Sequence, residues 1–240
     1  VLIFTSRRDN TAGGGTDKYD QMYFEDIYIS RNENKYWSEA KNIGDQINSY
    51  THDATCGLSI DGQKLFIYKD DLYGGSGNIY ECTLRGNNWS SPKKLKKTIN
   101  SRYHEACACL SPDGKILYFT SANPENNEGP GLHDIFKSVK NKDEQWNESE
   151  NLGPIINTQY DEHTVFIHSD GKTLYFSSQG HNSMGGFDIF KSVYNDSLKK
   201  WSVPVNLGYP INSPDDDIDF VISASGKHAY YATARLDGLG

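Results

Sequence analysis

Four acidic residues recur in phase along the 240-residue chain: Asp53, Glu105, Glu162 and Asp217. Each stands eight positions before a turn residue (Asp61, Asp113, Asp170 or Ser225), and each follows a polar neighbour, His52, His104, Asp161 or Asp216. Carboxylates gathered at one place can do two kinds of chemistry. Several of their oxygens hold a hard cation such as Ca²⁺, and two facing each other across a cleft hydrolyse a glycosidic bond. The densest acidic run is Asp215, Asp216, Asp217 and Asp219, the weak metal candidate, which does not follow EF-hand spacing. The structural alternative is that each carboxylate accepts backbone N–H groups of an adjacent connection. Recurrence in every repeat favours it, because a unique active site is not made four times over. The expectation is therefore no resident cofactor, with Ca²⁺ or another hard cation as the ion the acidic set would accept.

Other reactive constellations are missing from the sequence. There is no G-x-S-x-G elbow, no P-loop and no HExxH. Arg7-Arg8 is the only adjacent arginine pair, short of the cluster that sialidase-like sites use. Cys56, Cys82, Cys107 and Cys109 match no CxxC spacing and read as small apolar core residues. The net charge of −8 argues against a nucleic-acid partner. No apolar run approaches the roughly 18 residues that cross a bilayer. The chain is expected not to be an enzyme.

The elements that position these residues follow from a repeat. Trp37, Trp89, Trp146 and Trp201 are spaced by 52, 57 and 55 residues. Ile47-Asn48, Ile99-Asn100, Ile156-Asn157 and Ile211-Asn212 keep the same series, as do the turns Asp61-Gly62, Asp113-Gly114, Asp170-Gly171 and Ser225-Gly226. Within one repeat, Glu105 to Ser111 reads as a short inner strand and Ile116 to Ser121 as a β-branched and aromatic central strand. Asp134 to Val139 alternates as a third strand, and Trp146 opens a polar fourth. One such sheet cannot bury both its faces, so it must stack on its neighbours. The fold class is all-β: a β-propeller of four-stranded antiparallel blades, with five blades expected and six the alternative. The expected divisions of this single domain are 1–48 (partial), 49–100, 101–157, 158–212 and 213–240 (partial). The partial end blades suggest a fragment cut within a blade.

The phrases SPDGKILYFTS, DIFKSV and NLGPIINTQYDEH resemble the WD40-like propeller repeat of TolB and its relatives. In the second half, DGKTLYFSSQGHNSMGGFDIFKS and PVNLGYPINSPDDD resemble the propeller of OmpA-family envelope proteins of Bacteroidota, the group that includes PorE of the type IX secretion system. The resemblance implies a periplasmic, outer-membrane-associated scaffold whose partners are other envelope or secretion-system proteins. Peptidoglycan would be reached only through an OmpA-like domain outside this chain. Repeat two departs from the pattern, with Leu95-Lys96-Lys97 in place of Asn-Leu-Gly and Asn78 in place of Asp.

In an up-and-down blade, the loops between second and third strands share a face with the blade-to-blade connections. Those loops are Arg7–Glu25, Lys69–Gly77, Ala122–His133 and Gln179–Phe187. Recognition concentrates on such loops, so Tyr19, Met22, Tyr23, Phe24, His133, His181 and Met184 are the partner-binding candidates. The alternative for the first loop is that it folds back over its own blade. The functional expectation is a non-catalytic protein-interaction scaffold. The alternative is a carbohydrate- or metal-binding propeller, including a glycoside-active enzyme, with Asp53, Glu105, Glu162 and Asp217 ringing the channel mouth.

Overall fold

A computed structural model describes residues 1–70, 77–124 and 132–235. The chain forms two compact units, Val1–Leu95 and Lys96–Gly240. Both are built of antiparallel meanders in chain order, and the fold is a β-propeller. In the first unit, Leu2–Arg7, Glu25–Ser30 and Lys41–Asn42 form one sheet. Asp53–Leu58, Lys64–Lys69, Asn78–Arg85 and Lys93–Lys94 form the next. In the second unit, Glu105–Leu110, Ile116–Ser121, Asp134–Val139 and Glu150–Asn151 make a four-stranded blade. The blade of Glu162–Ile167, Thr173–Ser178, Asp188–Asn195 and Val205–Asn206 follows, then the pair Asp217–Ile222 and Ala229–Thr233.

Side chains from successive blades interleave within each unit. In the second, Cys107, Cys109 and Tyr118 pack with Val165, Ile167, Leu174 and Phe176. Ile27, Ile47, Leu65, Ile67 and Cys82 form the corresponding cluster in the first. Burial pushes the Cys107 thiol up to about 12 and that of Cys109 to about 11. Trp201 meets Tyr118 edge-on at 6.2 Å, in the wedge between two blades. Trp37 departs from this pattern and is 42% exposed.

The outermost strand also differs from expectation, being broken in two. The tryptophan half pairs with the far end of the third strand (Leu84 with Trp89, Tyr194 with Trp201), and a second two-residue piece pairs with its middle (Phe136 with Asn151, Phe190 with Asn206). Between the halves, serine hydroxyls of the third strand take the carbonyls that a ladder would use: Ser138 Oγ donates to Asn147 O and Ser192 Oγ to Ser202 O, each at 2.7 Å. Short, interrupted edges of this kind resist pairing with another chain.

The Asn-Leu-Gly and Ile-Asn phrases have one shared purpose. Asn157 Oδ1 accepts from Ile135 N at 2.8 Å, and its Nδ2 donates to Ile135 O at 3.0 Å and to Asn151 Oδ1 at 2.8 Å. Asn151 in turn donates to Asp134 and accepts from Gly153 N. The same set recurs at Asn48, Asn42 and Asp26, and at Asn212, Asn206 and Asp188. Asparagine fits because it carries a donor and an acceptor side by side and so serves both groups of one buried residue.

Candidate functional site

The in-phase carboxylates begin the inner strands as expected, but they are not an open ring of ligands. Asp53, Glu105, Glu162 and Asp217 are each 0% exposed. Each accepts from the residue four positions earlier, the adjacent connection's own Ser or Thr: Ser49, Ser101, Thr158 and Ser213. Across the strand pair, Lys69 meets Asp53 and Arg235 lies 3.5 Å from Asp217, whereas Ser121 and Ser178 hydroxyls meet Glu105 and Glu162. Burial pushes the Glu162 carboxyl up to about 7 and raises Glu105, and it raises Asp53 too, despite Lys69. Each of these carboxyls is thus buried and bonded to the hydroxyl of its own adjacent connection.

The acidic run is dispersed in the same way. Asp217 turns inward to Ser213, whereas Asp216 Oδ1 accepts from Phe187 N at 2.9 Å. Asp215 and Asp219 are exposed. Among the described residues no three His, Cys, Asp or Glu side chains converge as metal ligands. The Asp216 contact also explains Gly185-Gly186. A Cβ at Gly185 would lie 2.0 Å from the Pro214 carbonyl oxygen, and one at Gly186 would lie 2.0 Å from Asp216 Oδ1.

His133 is not a free loop side chain. Its Nδ1 lies 3.0 Å from Asp161 Oδ1 and its Nε2 2.8 Å from His104 Nδ1. The carboxylate takes the proton on His133 Nδ1, so a neutral His133 accepts from His104 through Nε2. Burial lowers His104 to about 4 and keeps it neutral. This Asp–His–His relay can hold or pass a proton, although both His133 nitrogens are engaged. His163, whose buried Nδ1 meets no hydrogen-bond partner among the described residues, lies beside it with its ring 6.2 Å from that of His133. Spacing set His104 and Asp161 in phase and put His133 in a loop on the same face, but their meeting was not legible, because the three lie in separate connections.

His181 is likewise engaged. Its ring lies 5.8 Å from Phe176 and 5.1 Å from Phe190, and its Nε2 bonds the Ile156 carbonyl at 2.9 Å. Met184 is 50% exposed. Parts of two other loops, 71–76 and 125–131, lie outside the described residues.

The first loop is partly folded back onto its own blade. Thr16 pairs with Tyr23, and Asp17 N donates to Met22 O at 2.8 Å, closing a small hairpin. Asp17 and Asp20 accept from the N–H groups of Tyr19 and Met22. Those bonds, with His52 against Asp17 and Arg7 against Asp20, hold both carboxyls below their ordinary range. Phe24 packs edge-on against His52 at 5.2 Å. The stem is thus folded onto its blade, while the tip presents Tyr19 at 84%, Met22 at 54% and Tyr23 at 40% exposure. Tyr50, 76% exposed, stands beside Gly13 at the base of the same loop.

No protein-family model and no curated protein matches the chain. Solved structures do. TolB from Acinetobacter baumannii superposes with a TM-score of 0.56 at 16% identity, over 95% of this chain and 46% of that one. A structure of a nidogen/laminin complex gives 0.53 at 13% identity, over 97% and 70%. The periplasmic gluconolactonase PpgL of Pseudomonas aeruginosa gives 0.50 at 15%, over 95% and 60%. The likeness establishes a TolB-like propeller fold, and the chain spans less than half the length of the Acinetobacter protein.

Proposed function

We propose that this chain is a non-catalytic scaffold domain that binds another protein through the Thr16–Tyr23 hairpin. The observation that carries the reading is a recognition loop already folded in the free chain, with Tyr19 84% exposed at its tip. Aromatic and methionine side chains suit protein interfaces. A loop pinned in advance by Arg7–Asp20 and His52–Asp17 loses little conformational entropy on binding. The finer reading is a periplasmic, outer-membrane-associated envelope protein, linked to type IX secretion and anchored to peptidoglycan through a domain outside this chain. It is supported by the Gly-Gly-x-Asp-Ile-Phe and Asn-Leu-Gly phrases, and by fold likeness to TolB and to a periplasmic lactonase.

The test places a photo-crosslinking amino acid at Tyr19, and as control at exposed Asp45, in the full-length parent protein in native envelopes. A discrete protein adduct from position 19, absent from position 45, is expected. Recovery of only glycans or ions, with no adduct at 19, overturns the scaffold reading. A second reading, a carbohydrate- or metal-binding propeller that includes a glycoside-active one, is favoured by the His104–His133–Asp161 relay. It predicts a thermal shift with Ca²⁺ or glycans that His133→Asn abolishes.

A further inference from the structure

Three imidazoles and a carboxylate meet in the second unit, brought together from three segments. His104 stands just before the strand Glu105–Leu110 and His133 just before Asp134–Val139, while Asp161 and His163 flank Glu162 at the head of the next inner strand. His104 Nδ1 lies 2.8 Å from His133 Nε2, and the two rings are inclined at 70°. Asp161 Oδ1 accepts from the His133 backbone N–H at 2.9 Å and from its ring Nδ1 at 3.0 Å, which fixes the ring with Nε2 turned toward His104. His163 sets its ring 6.2 Å from that of His133, and its buried Nδ1 meets no hydrogen-bond partner among the described residues.

This is a poor place to keep a proton. Burial, with His133 and His163 close by, lowers His104 to about 4, so both members of the pair offer neutral imidazole at neutral pH. Neutral imidazole is the form that binds Cu²⁺, Ni²⁺ and Zn²⁺. A carboxylate that holds the proton of the far ring nitrogen is the usual support of a metal-bound histidine, and Asp161 does this for His133. The spacing selects among the metals. Two nitrogens 2.8 Å apart, each about 2.0–2.1 Å from one ion, subtend roughly 84–89°. That suits adjacent corners of a square-planar or tetragonal ion and falls short of the roughly 109° of a tetrahedral one.

We propose that His104 Nδ1 and His133 Nε2 form a binding site for a divalent transition-metal ion of tetragonal preference, Cu²⁺ or Ni²⁺, with Asp161 as the positioning residue. The proton on His104 Nδ1 moves to Nε2 as the metal takes its place, so the proton count of the pair is unchanged. No three protein ligands converge here among the described residues, so water completes the coordination, with His163 Nδ1 a further nitrogen beside the pair. Solvent reaches the site past His133 and Asp161, whose side chains are partly exposed. The proposal rests on the metal-binding reading, which it moves from a hard cation to an imidazole-seeking one, and it is independent of the hairpin.

The test is calorimetric titration of the chain with Ni²⁺, Zn²⁺ and Ca²⁺ at neutral pH. One equivalent of Ni²⁺ should bind with Kd on the order of 10 µM. Zn²⁺ should bind about tenfold more weakly because the angle is wrong for it, and Ca²⁺ not at all because it requires oxygen ligands. His133→Asn should abolish Ni²⁺ binding, whereas His228→Ala, at an exposed position outside the cluster, should leave it unchanged. Asp161→Asn, which keeps an oxygen for the His133 N–H, should weaken binding about 10–100-fold. It should also shift the Cu²⁺ hyperfine coupling, which a merely structural role would not move. On the unmutated chain, one equivalent of Cu²⁺ should give a tetragonal paramagnetic resonance spectrum with at least two nitrogen couplings. That spectrum decides the matter even if His133→Asn does not fold. No saturable Ni²⁺ heat, Zn²⁺ binding more tightly than Ni²⁺, undiminished binding by folded His133→Asn, or a Cu²⁺ spectrum with oxygen ligands alone overturns the proposal. A Ca²⁺ or glycan response without Ni²⁺ binding overturns it while leaving the broader second reading standing.

Discussion

Truncating Asn157 tests the physical account of the repeat most directly. Asn157→Ala removes three bonds and strands the N–H of Ile135, a residue that is 0% exposed, while the Ile135 carbonyl keeps its bond from Leu152 N at 3.0 Å. A buried backbone group left unpaired costs roughly 1–3 kcal/mol, and the stranded N–H sets that cost here. The bond to Asn151 adds little, because Asn151 Oδ1 still accepts from Gly153 N. Asn157→Asp sharpens the test. It keeps an oxygen for the Ile135 N–H but turns another toward the Ile135 carbonyl and Asn151 Oδ1, where only a donor fits. Protonation supplies that donor, so the folded state raises the pKa of the introduced carboxyl above its unfolded value of about 4. Stability is then least impaired below pH ~4 and falls as pH rises through the folded pKa. The measurement is denaturant unfolding from pH 4 to 8, with hydrogen exchange of the Ile135 amide as the local readout. A cost under about 1 kcal/mol for Asn157→Ala, or a pH-independent Asn157→Asp, would refute the reasoning.

Glu162 gives a second pH signature. Its folded pKa of about 7 stands above the ordinary value of 4.5, so its contribution is fully present below pH 4.5 and is lost as pH rises through 7. The change is roughly 3 kcal/mol, and Glu162→Gln should flatten that part of the stability curve. At the close approach in the second unit, Gly185→Ala drives a Cβ into the Pro214 carbonyl and should cost about 1–3 kcal/mol. Gly15→Ala, whose Cβ meets nothing nearer than 4.0 Å, should be neutral or slightly stabilising; thermal unfolding of both variants checks the contrast.

Much of the blade was legible because its determinants are local and repeated. The Asp-Gly turns have φ of +69° to +72° at Gly62, Gly114 and Gly171, a region glycine enters freely. The tryptophan and Ile-Asn spacings marked one blade each. The broken outer strand was not legible, since the interruption comes from Ser138 and Ser192 hydroxyls reaching carbonyls nine and ten residues away. The exposed tip of the first loop was anticipated at Tyr19 and Met22, but its anchoring by His52, 35 residues beyond Asp17, was not.

By itself the sequence determined the repeat, the strand order and the carboxylate at the head of each inner strand, because period, turn chemistry and β-branched composition act over a few residues. Tertiary structure alone decided what those carboxylates do. The same phase position is a buried ion pair where Lys69 or Arg235 arrives, and an uncompensated acid where Ser121 or Ser178 stands opposite. Whether a side chain binds a ligand or builds a blade depends on desolvation and on which groups fold back to meet it. Both are set by segments that the linear order keeps apart.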